Sequence, residues 1–277
     1  MVCRDAFQSV RLSETILSST GLLAPGVEYG WAAPLAEDAD PVKAVGAVVP
    51  VQTHSLNVGV LTESGQSFPD TDALITRLRG VAIGVRTADC IPVLLYAPDI
   101  EAVAAVHAGW RGTVGDIVGA TVSRLEAMGA DTGRMLAHVG IGICCDCFEV
   151  GSELAECFKK AGLGGFVLPG PFTDRLTGEP MDPGRSHIDL RGANVSYLLR
   201  RRIPEANITV ATECTRCSEI APGLCASSVA GSGMTLAVGS EGKSATGSGV
   251  RLPSWRRDHG TTRRMLTWIR LREESPS

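Results

Sequence analysis

The sequence predicts a mixed fold, α+β or α/β, in which layered mixed β-sheets are flanked by helices. Three observations predict it. Short β-branched and apolar runs alternate with segments whose apolar residues recur every three or four positions. At 277 residues and 44% apolar composition, the chain can build one large core, so residues 1–277 are read as a single domain. Neither a GxGxxG fingerprint nor a GxxxxGK loop occurs between a strand and a helix, so no dinucleotide or triphosphate fold is indicated.

The elements follow in order. Residues 1–43 carry no clean period, and "APGVEYGWAAPLAEDADP" concentrates Pro, Gly and acidic side chains, which predicts irregular structure. "AVGAVVPVQTH" reads as a strand ending at Gln52, Thr53 and His54. "VAIGVRTADC" and "IPVLLYAPD" read as two more, the second closed by a Pro-Asp turn, and "EAVAAVH" as a fourth, short and buried. After the turn "AGWRG", Val114, Ile117, Val118, Val122, Leu125 and Met128 form the apolar face of a helix that stops at Gly129. "MLAHVGIGI" reads as a strand, "GSELAECFKKAG" as a helix with glycine closure, and "GPFTDRLTGEPMDPGRS" as a long loop. "HIDLRGANVSYLLRRRI" reads as a helix and "ITVATEC" as a strand. Residues 219–251, rich in Gly and Ser, read as a flexible insertion, and "RRMLTWIRL" as a final strand.

Composition narrows the partners. A formal net charge of −4 and no Lys/Arg run argue against nucleic acid or an anionic membrane as the partner, and favour a small polar molecule. No segment approaches 18 uninterrupted apolar residues, and the N-terminus lacks a basic region followed by an apolar one. Nine cysteines, an odd number at irregular spacing, suit reduced thiols. A cytoplasmic protein is therefore expected, of oligomeric state that the sequence leaves open.

Three potential metal ligands share one context. His54 is expected at the end of a strand, Cys90 at the junction of two, and His107 at the end of another just before a helix. Imidazoles and a thiolate suit Zn²⁺, and three protein ligands leave a fourth tetrahedral position open, as in catalytic zinc sites. Asp89, beside Cys90, is placed to act as a general base or to orient ligands, although Asp often does no more than cap a turn. Arg111, bracketed by Gly109 and Gly112 before the expected helix N-terminus, is placed to hold an anion such as phosphate. Trp110 offers a stacking face for a planar substrate, if it is not simply core.

"TADCIPVLLY", "VAAVHAGWRGTV", "FEVGSEL", "HIDLRGANVSYLL", "ECTRC" and "SWRRDHGTTRRM" together resemble the successive signatures of the family once called laccase-like multicopper polyphenol oxidase. The resemblance covers roughly residues 45–271 and is densest from Asp70 to Leu125. It implies a zinc-dependent purine nucleoside phosphorylase, acting on adenosine, inosine and methylthioadenosine, with adenosine deaminase activity. Its zinc ligands fall on His54, Cys90 and His107, the trio that ligand chemistry selects independently. It further implies nucleoside and phosphate as substrates, contacts from Gln52, Trp110 and Arg256, and a fold like that of a cysteine-hydrolase toxin domain. The chain departs from the family at "QTHS", at "VGIGICCDC", and after "APGVEYGW", where an expected arginine with paired glycines is replaced by "AAPLAEDADP".

A blue plus trinuclear copper centre needs on the order of ten histidines, and the chain has five, so a true multicopper oxidase is excluded. Cys144 with Cys147 and Cys214 with Cys217 have the spacing of a structural Cys₄ zinc knot, which alone would make the protein a non-catalytic module. Cys90 with His107 as base would instead make a cysteine hydrolase, as in the peptidoglycan-editing role ascribed to some family members.

Overall fold

The computed structural model describes residues 9–13, 16–220, 227–229 and 250–273. It opens on an antiparallel meander of β1 (Ser9–Ser13), β2 (Ile16–Ala24) and β3 (Val27–Pro34). Within the segment expected to be irregular over 1–43, this is a correction for these three strands; residues 35–40 are irregular as expected, and residues 1–8 lie outside the described residues. The Pro25-Gly26 pair, with Gly26 at φ 78°, turns β2 into β3. No period of two shows because β3 buries both faces, Trp31, Ala32 and Ala33 in succession.

The strand expected in "AVGAVVPVQTH" is also corrected. Its start is the end of a short helix, α1 (Pro41–Val45), capped by the Asp40 carboxylate and closed by Gly46 at φ 72°. Beyond it, Val48 makes a single bridge to Ile83, and a loop carries Gln52 and His54. Pro50, lacking an N–H, suits a loop better than a ladder.

Two strands then form where the sequence predicts no element, β4 (Val58–Leu61) and β5 (Ala73–Thr76). The expected strands follow as β6 (Ile83–Thr87), β7 (Ile91–Ala97) and β8 (Ala102–Ala108). The single helix expected next is two: α2 (Trp110–Val114) and α3 (Ile117–Ala127). The break falls at Gly115 and Asp116, where Asp116 adopts φ 59° and its carboxylate accepts the Gly119 N–H at 2.7 Å. That bond starts a new helix instead of continuing the old one. Ile117, Val118, Val122 and Leu125 are fully buried along α3, each stabilising the fold by about 1.5–3 kcal/mol.

The second half runs β9 (Leu136–Val139), β10 (Glu149–Val150), α4 (Ser152–Lys160), β11 (Val167–Pro169), β12 (Ser186–Ile188), α5 (Leu190–Arg200) and β13 (Ile208–Ala211). The helix expected from His187 begins only at Leu190. Asp189 caps it by accepting the Gly192 N–H, so "SHI" before it is free to pair as β12. The Gly/Ser-rich insertion lies largely outside the described residues. Its described parts are strands, β14 (Glu219–Ile220), β15 (Ser227–Val229) and β16 (Val250–Arg251), before β17 (Met265–Leu271).

Two large sheets carry the fold, in the orders β1-β2-β3-β17-β6 and β15-β13-β9-β7-β8-β5-β4. The second is mixed, with β4 parallel to β5 and β13 parallel to β9. Alternation along β7 divides the core: Val93 and Leu95 face α3, α4 and α5, whereas Leu94 faces the first sheet through Val85, Ile269 and Tyr29. The result is the expected layering of mixed sheets flanked by helices. Among the described residues, no helix is long and apolar enough to cross a membrane.

Candidate metal centre

The site forms where β7 and β8 meet the loop before β4. Cys90 lies in the bend between β6 and β7, and register pairing sets Pro92 opposite His107 on β8, which brings the thiol and that imidazole together. His54 arrives from a loop instead of a strand end, at φ 64°. The reason is Asp72, a carboxylate with no exposed surface just before β5.

Asp72 organises both histidines. Its Oδ2 accepts the backbone N–H groups of Thr53 (3.1 Å) and Ser55 (2.7 Å) and the Ser55 hydroxyl (2.9 Å), while Oδ1 accepts the His54 N–H at 3.1 Å. The loop is thus wrapped around one charge, which holds His54 in the left-handed region. Oδ1 also accepts from His107 Nδ1 at 2.7 Å, leaving Nε2 of that ring as the ligand atom. Burial alone would raise the Asp72 carboxyl; hydrogen bonds from His107, Ser55 and Thr53 outweigh it and hold it at about 2.

The three ligand atoms lie within 4.8 Å of one another, with Cys90 Sγ 3.9 Å from His54 Nε2. Burial opposes charge on Cys90, yet the facing His107 and hydrogen bonds from both imidazoles bring its thiol down to about 6. Burial likewise opposes charge on His107, and the Cys90 thiolate with Asp72 lifts it to about 9. Thiolate and imidazolium are therefore the metal-free state near neutrality. A Cβ on Gly109 would stand 2.7 Å from His54 Cδ2 and 3.0 Å from Cys90 Sγ, so only glycine lets the backbone pass this closely. Two imidazoles and a thiolate, gathered against bare backbone and oriented by a buried carboxylate, fit a borderline-soft divalent cation.

All eight residues expected at the site line one open cleft of about 1190 Å³: Gln52, His54, Asp89, Cys90, His107, Trp110, Arg111 and Arg256. Asp89, at φ 90°, accepts the Thr215 hydroxyl on Oδ1 (2.6 Å) and the Arg256 backbone N–H on Oδ2 (2.8 Å). Gln52 uses both ends of its amide on the Arg86 backbone, donating at 2.8 Å and accepting at 2.7 Å, which ties the loop to β6. Arg111 sits inside the short α2, not ahead of the long helix, whose N-terminus is taken by Asp116. Its guanidinium lies 4.2 Å from the centre of the Trp110 ring. Arg256 spans the Phe148 ring at 5.3 Å.

Sequence reasoning missed Asp72, and with it Arg86 and Arg264 on the cleft wall. The available signal for Asp72 was an acidic residue leading directly into the wholly apolar "ALI". Among the described residues, four arginines, Arg86, Arg111, Arg256 and Arg264, and one carboxylate, Asp89, line the cleft, giving a cationic recess in a chain of net charge −4.

A family model described as multi-copper polyphenol oxidoreductase laccase matches residues 35–220. The chain is 43% identical over 181 residues to adenosine deaminase RL5 from an unknown prokaryotic organism, a match covering 61% of the chain and 65% of that protein. It is 39% identical over 178 residues to a purine nucleoside phosphorylase of Bacteroides thetaiotaomicron, covering 61% and 63% respectively. The chain thus spans just under two thirds of the length of these relatives. In fold it resembles the crystal structure of Bacillus licheniformis hypothetical protein YfiH, with a TM-score of 0.69 at 19% identity over 94% of this chain and 97% of that one.

Proposed function

Because the chain belongs to the family described as multi-copper polyphenol oxidoreductase laccase, we propose that His54, Cys90 and His107 hold zinc in a purine nucleoside phosphorylase. The substrates are adenosine, inosine or methylthioadenosine together with phosphate, and adenosine deamination is a second activity. One observation carries the reading: the three candidate ligands open into a cleft walled, among the described residues, by four arginines and one carboxylate. Two relatives bear the names of these two activities.

When bound, zinc supplies Lewis acidity toward an oxygen of the reacting system. The remaining work falls to the chain. Arg111, exposed on α2, and Arg86 and Arg256 provide the charge that holds a phosphate against the ribose carbon. Trp110 offers an aromatic face to the purine. Asp89 moves the proton, off the attacking oxygen in deamination and onto the departing base in phosphorolysis. Thr215 and the Arg256 backbone fix both of its oxygens in one orientation.

Copper oxidase chemistry does not fit these residues. Apart from His54 and His107, His138 bonds to Thr209 and packs on Tyr29, and His187 bonds to the Cys145 carbonyl and stacks on Phe172, so neither offers a clustered ligand. His259 on the cleft wall brings the histidines there to three, where a blue plus trinuclear copper centre needs on the order of ten.

Purified protein incubated with adenosine or inosine, with and without phosphate, tests the reading: free base with ribose 1-phosphate, and inosine from adenosine, are expected. Absence of both products overturns it. A second reading rests on the Cys90 thiolate beside the His107 imidazolium, the pairing of a cysteine hydrolase acting on peptidoglycan precursors. Turnover that survives chelation and is lost on thiol alkylation supports the hydrolase; turnover lost on chelation and restored by zinc supports the metalloenzyme.

A further inference from the structure

Two Cys-x-x-Cys pairs, distant in sequence, meet around Thr215, whose hydroxyl bonds to Asp89. Cys144 and Cys147 bracket a 3₁₀ turn after β9, and Cys214 and Cys217 follow β13. Their meeting is a consequence of topology. β9 and β13 are adjacent parallel strands, with Val139 opposite Val210, so both chains leave the sheet at the same end. A bridge between Gly142 and Cys214, and the Thr215 N–H donating to the Gly142 carbonyl at 3.1 Å, carry the register into the two loops.

All four sulfur atoms lie within 4.8 Å of one another, and Cys144 Sγ is 3.8 Å from Cys217 Sγ. A tetrahedron of thiolates about 2.3 Å from a zinc ion has sulfur–sulfur edges of about 3.8 Å, whereas a disulfide would bring two sulfurs to about 2.05 Å. All four thiols are free, with Cys147 and Cys214 buried and the others half-buried. The donors around them point at sulfur. Cys214 Sγ accepts the N–H of Cys144 at 3.2 Å and of Arg216 at 3.4 Å, and the Arg216 guanidinium reaches Cys147 Sγ at 3.7 Å. N–H groups and a cation converging on sulfur favour thiolates, and four thiolates this close repel one another unless a cation sits among them.

We propose that Cys144, Cys147, Cys214 and Cys217 form a second, structural Zn²⁺ site. Four protein ligands close the coordination sphere, so this metal binds no substrate. Its role is to clamp the two loops, and one residue links that clamp to the cleft. Thr215, between the second pair of cysteines, donates its hydroxyl to Asp89 Oδ1 at 2.6 Å, and its carbonyl accepts from Arg257 at 2.9 Å. The structural zinc thereby positions the carboxylate next to Cys90.

Metal analysis of the purified protein tests this without reference to activity. Two zinc equivalents per chain are expected in the wild type, one in C90S/H107A, and one in C144S/C217S. Cobalt(II) loaded into C90S/H107A should give the intense ligand-to-metal charge transfer of a thiolate-rich tetrahedral site, a readout that stands even if C144S/C217S fails to fold. A C90S/H107A protein that binds neither zinc nor cobalt overturns the proposal. So does an intact mass showing that these cysteines are paired as disulfides in freshly purified protein. Failure of the nucleoside assay leaves these outcomes unaffected.

Discussion

Asp72 Oδ1 lies 2.7 Å from His107 Nδ1, and the same carboxylate accepts the backbone N–H groups of Thr53, His54 and Ser55. One buried charge thus fixes the tautomer of one metal ligand and the backbone of another. Asp72→Asn should therefore lower metal affinity by about 10- to 100-fold, because an amide turns an N–H toward backbone donors whichever way it faces. Competition against a chromophoric chelator measures the change. An unaltered affinity would remove Asp72 from the site.

Asp72 also predicts an acid dependence of stability. Its folded pKa of about 2 lies below the ordinary 3.8, so its contribution is complete above pH 3.8 and disappears as pH falls through the folded value. The size is about 2 kcal/mol. Urea unfolding of metal-free protein at pH 5 and near pH 2 should show the wild type losing about that much of its advantage over Asp72→Asn.

Metal binding should strengthen with pH through the Cys90 and His107 pair. Between about 6, where Cys90 ionises, and about 9, where His107 does, the pair holds one proton that the metal must displace. Apparent affinity should rise about tenfold per pH unit in that window. Zinc titrations at several pH values in a competing chelator measure the slope; a flat profile contradicts the thiolate–imidazolium state.

Gly109→Ala should empty the metal site, since its Cβ would meet His54 Cδ2 at 2.7 Å and Cys90 Sγ at 3.0 Å. Gly115→Ala is the control. The three atoms nearest its Cβ all belong to the side chain of Leu56, a residue 45% exposed that can turn away. Zinc content of the two purified variants should differ by a full equivalent.

Thr215→Val should leave zinc at the trio intact while lowering kcat, because Asp89 loses the hydroxyl donor on Oδ1. A fall of about 10-fold is expected, less than the ~10²–10⁴-fold loss on removing the carboxylate in Asp89→Ala. Nucleoside turnover with metal analysis on the same samples checks both parts. Equal losses in the two variants would mean that Thr215 does more than orient Asp89.

Strands and helices that bury one face, or a continuous apolar run, were legible from local pattern: β6, β7, β8 and α3 occupy the stretches their periodicity marks. The meander β1 to β3 was not, because β3 buries both faces and its Pro-Gly turn resembles loop composition. β4 and β5 were missed because four residues are too few to show a period. The helix break at Gly115 and Asp116 was hidden because the apolar spacing continues across it, while the Asp116 cap is a single side-chain bond.

The sequence by itself determined the donor chemistry, since two imidazoles and a thiolate beside a carboxylate are properties of residue type and neighbourhood. It also carried the family through short motifs. The tertiary structure alone decided how those donors are aimed. Asp72 acts on residues up to 35 positions away, and the two cysteine pairs meet only because β9 and β13 lie side by side. Periodicity reports which face of an element is buried; it carries no information about which distant backbone N–H a buried charge will satisfy. That is settled by the packing of sheets and loops around the charge, where leaving it unpaired would cost several kcal/mol.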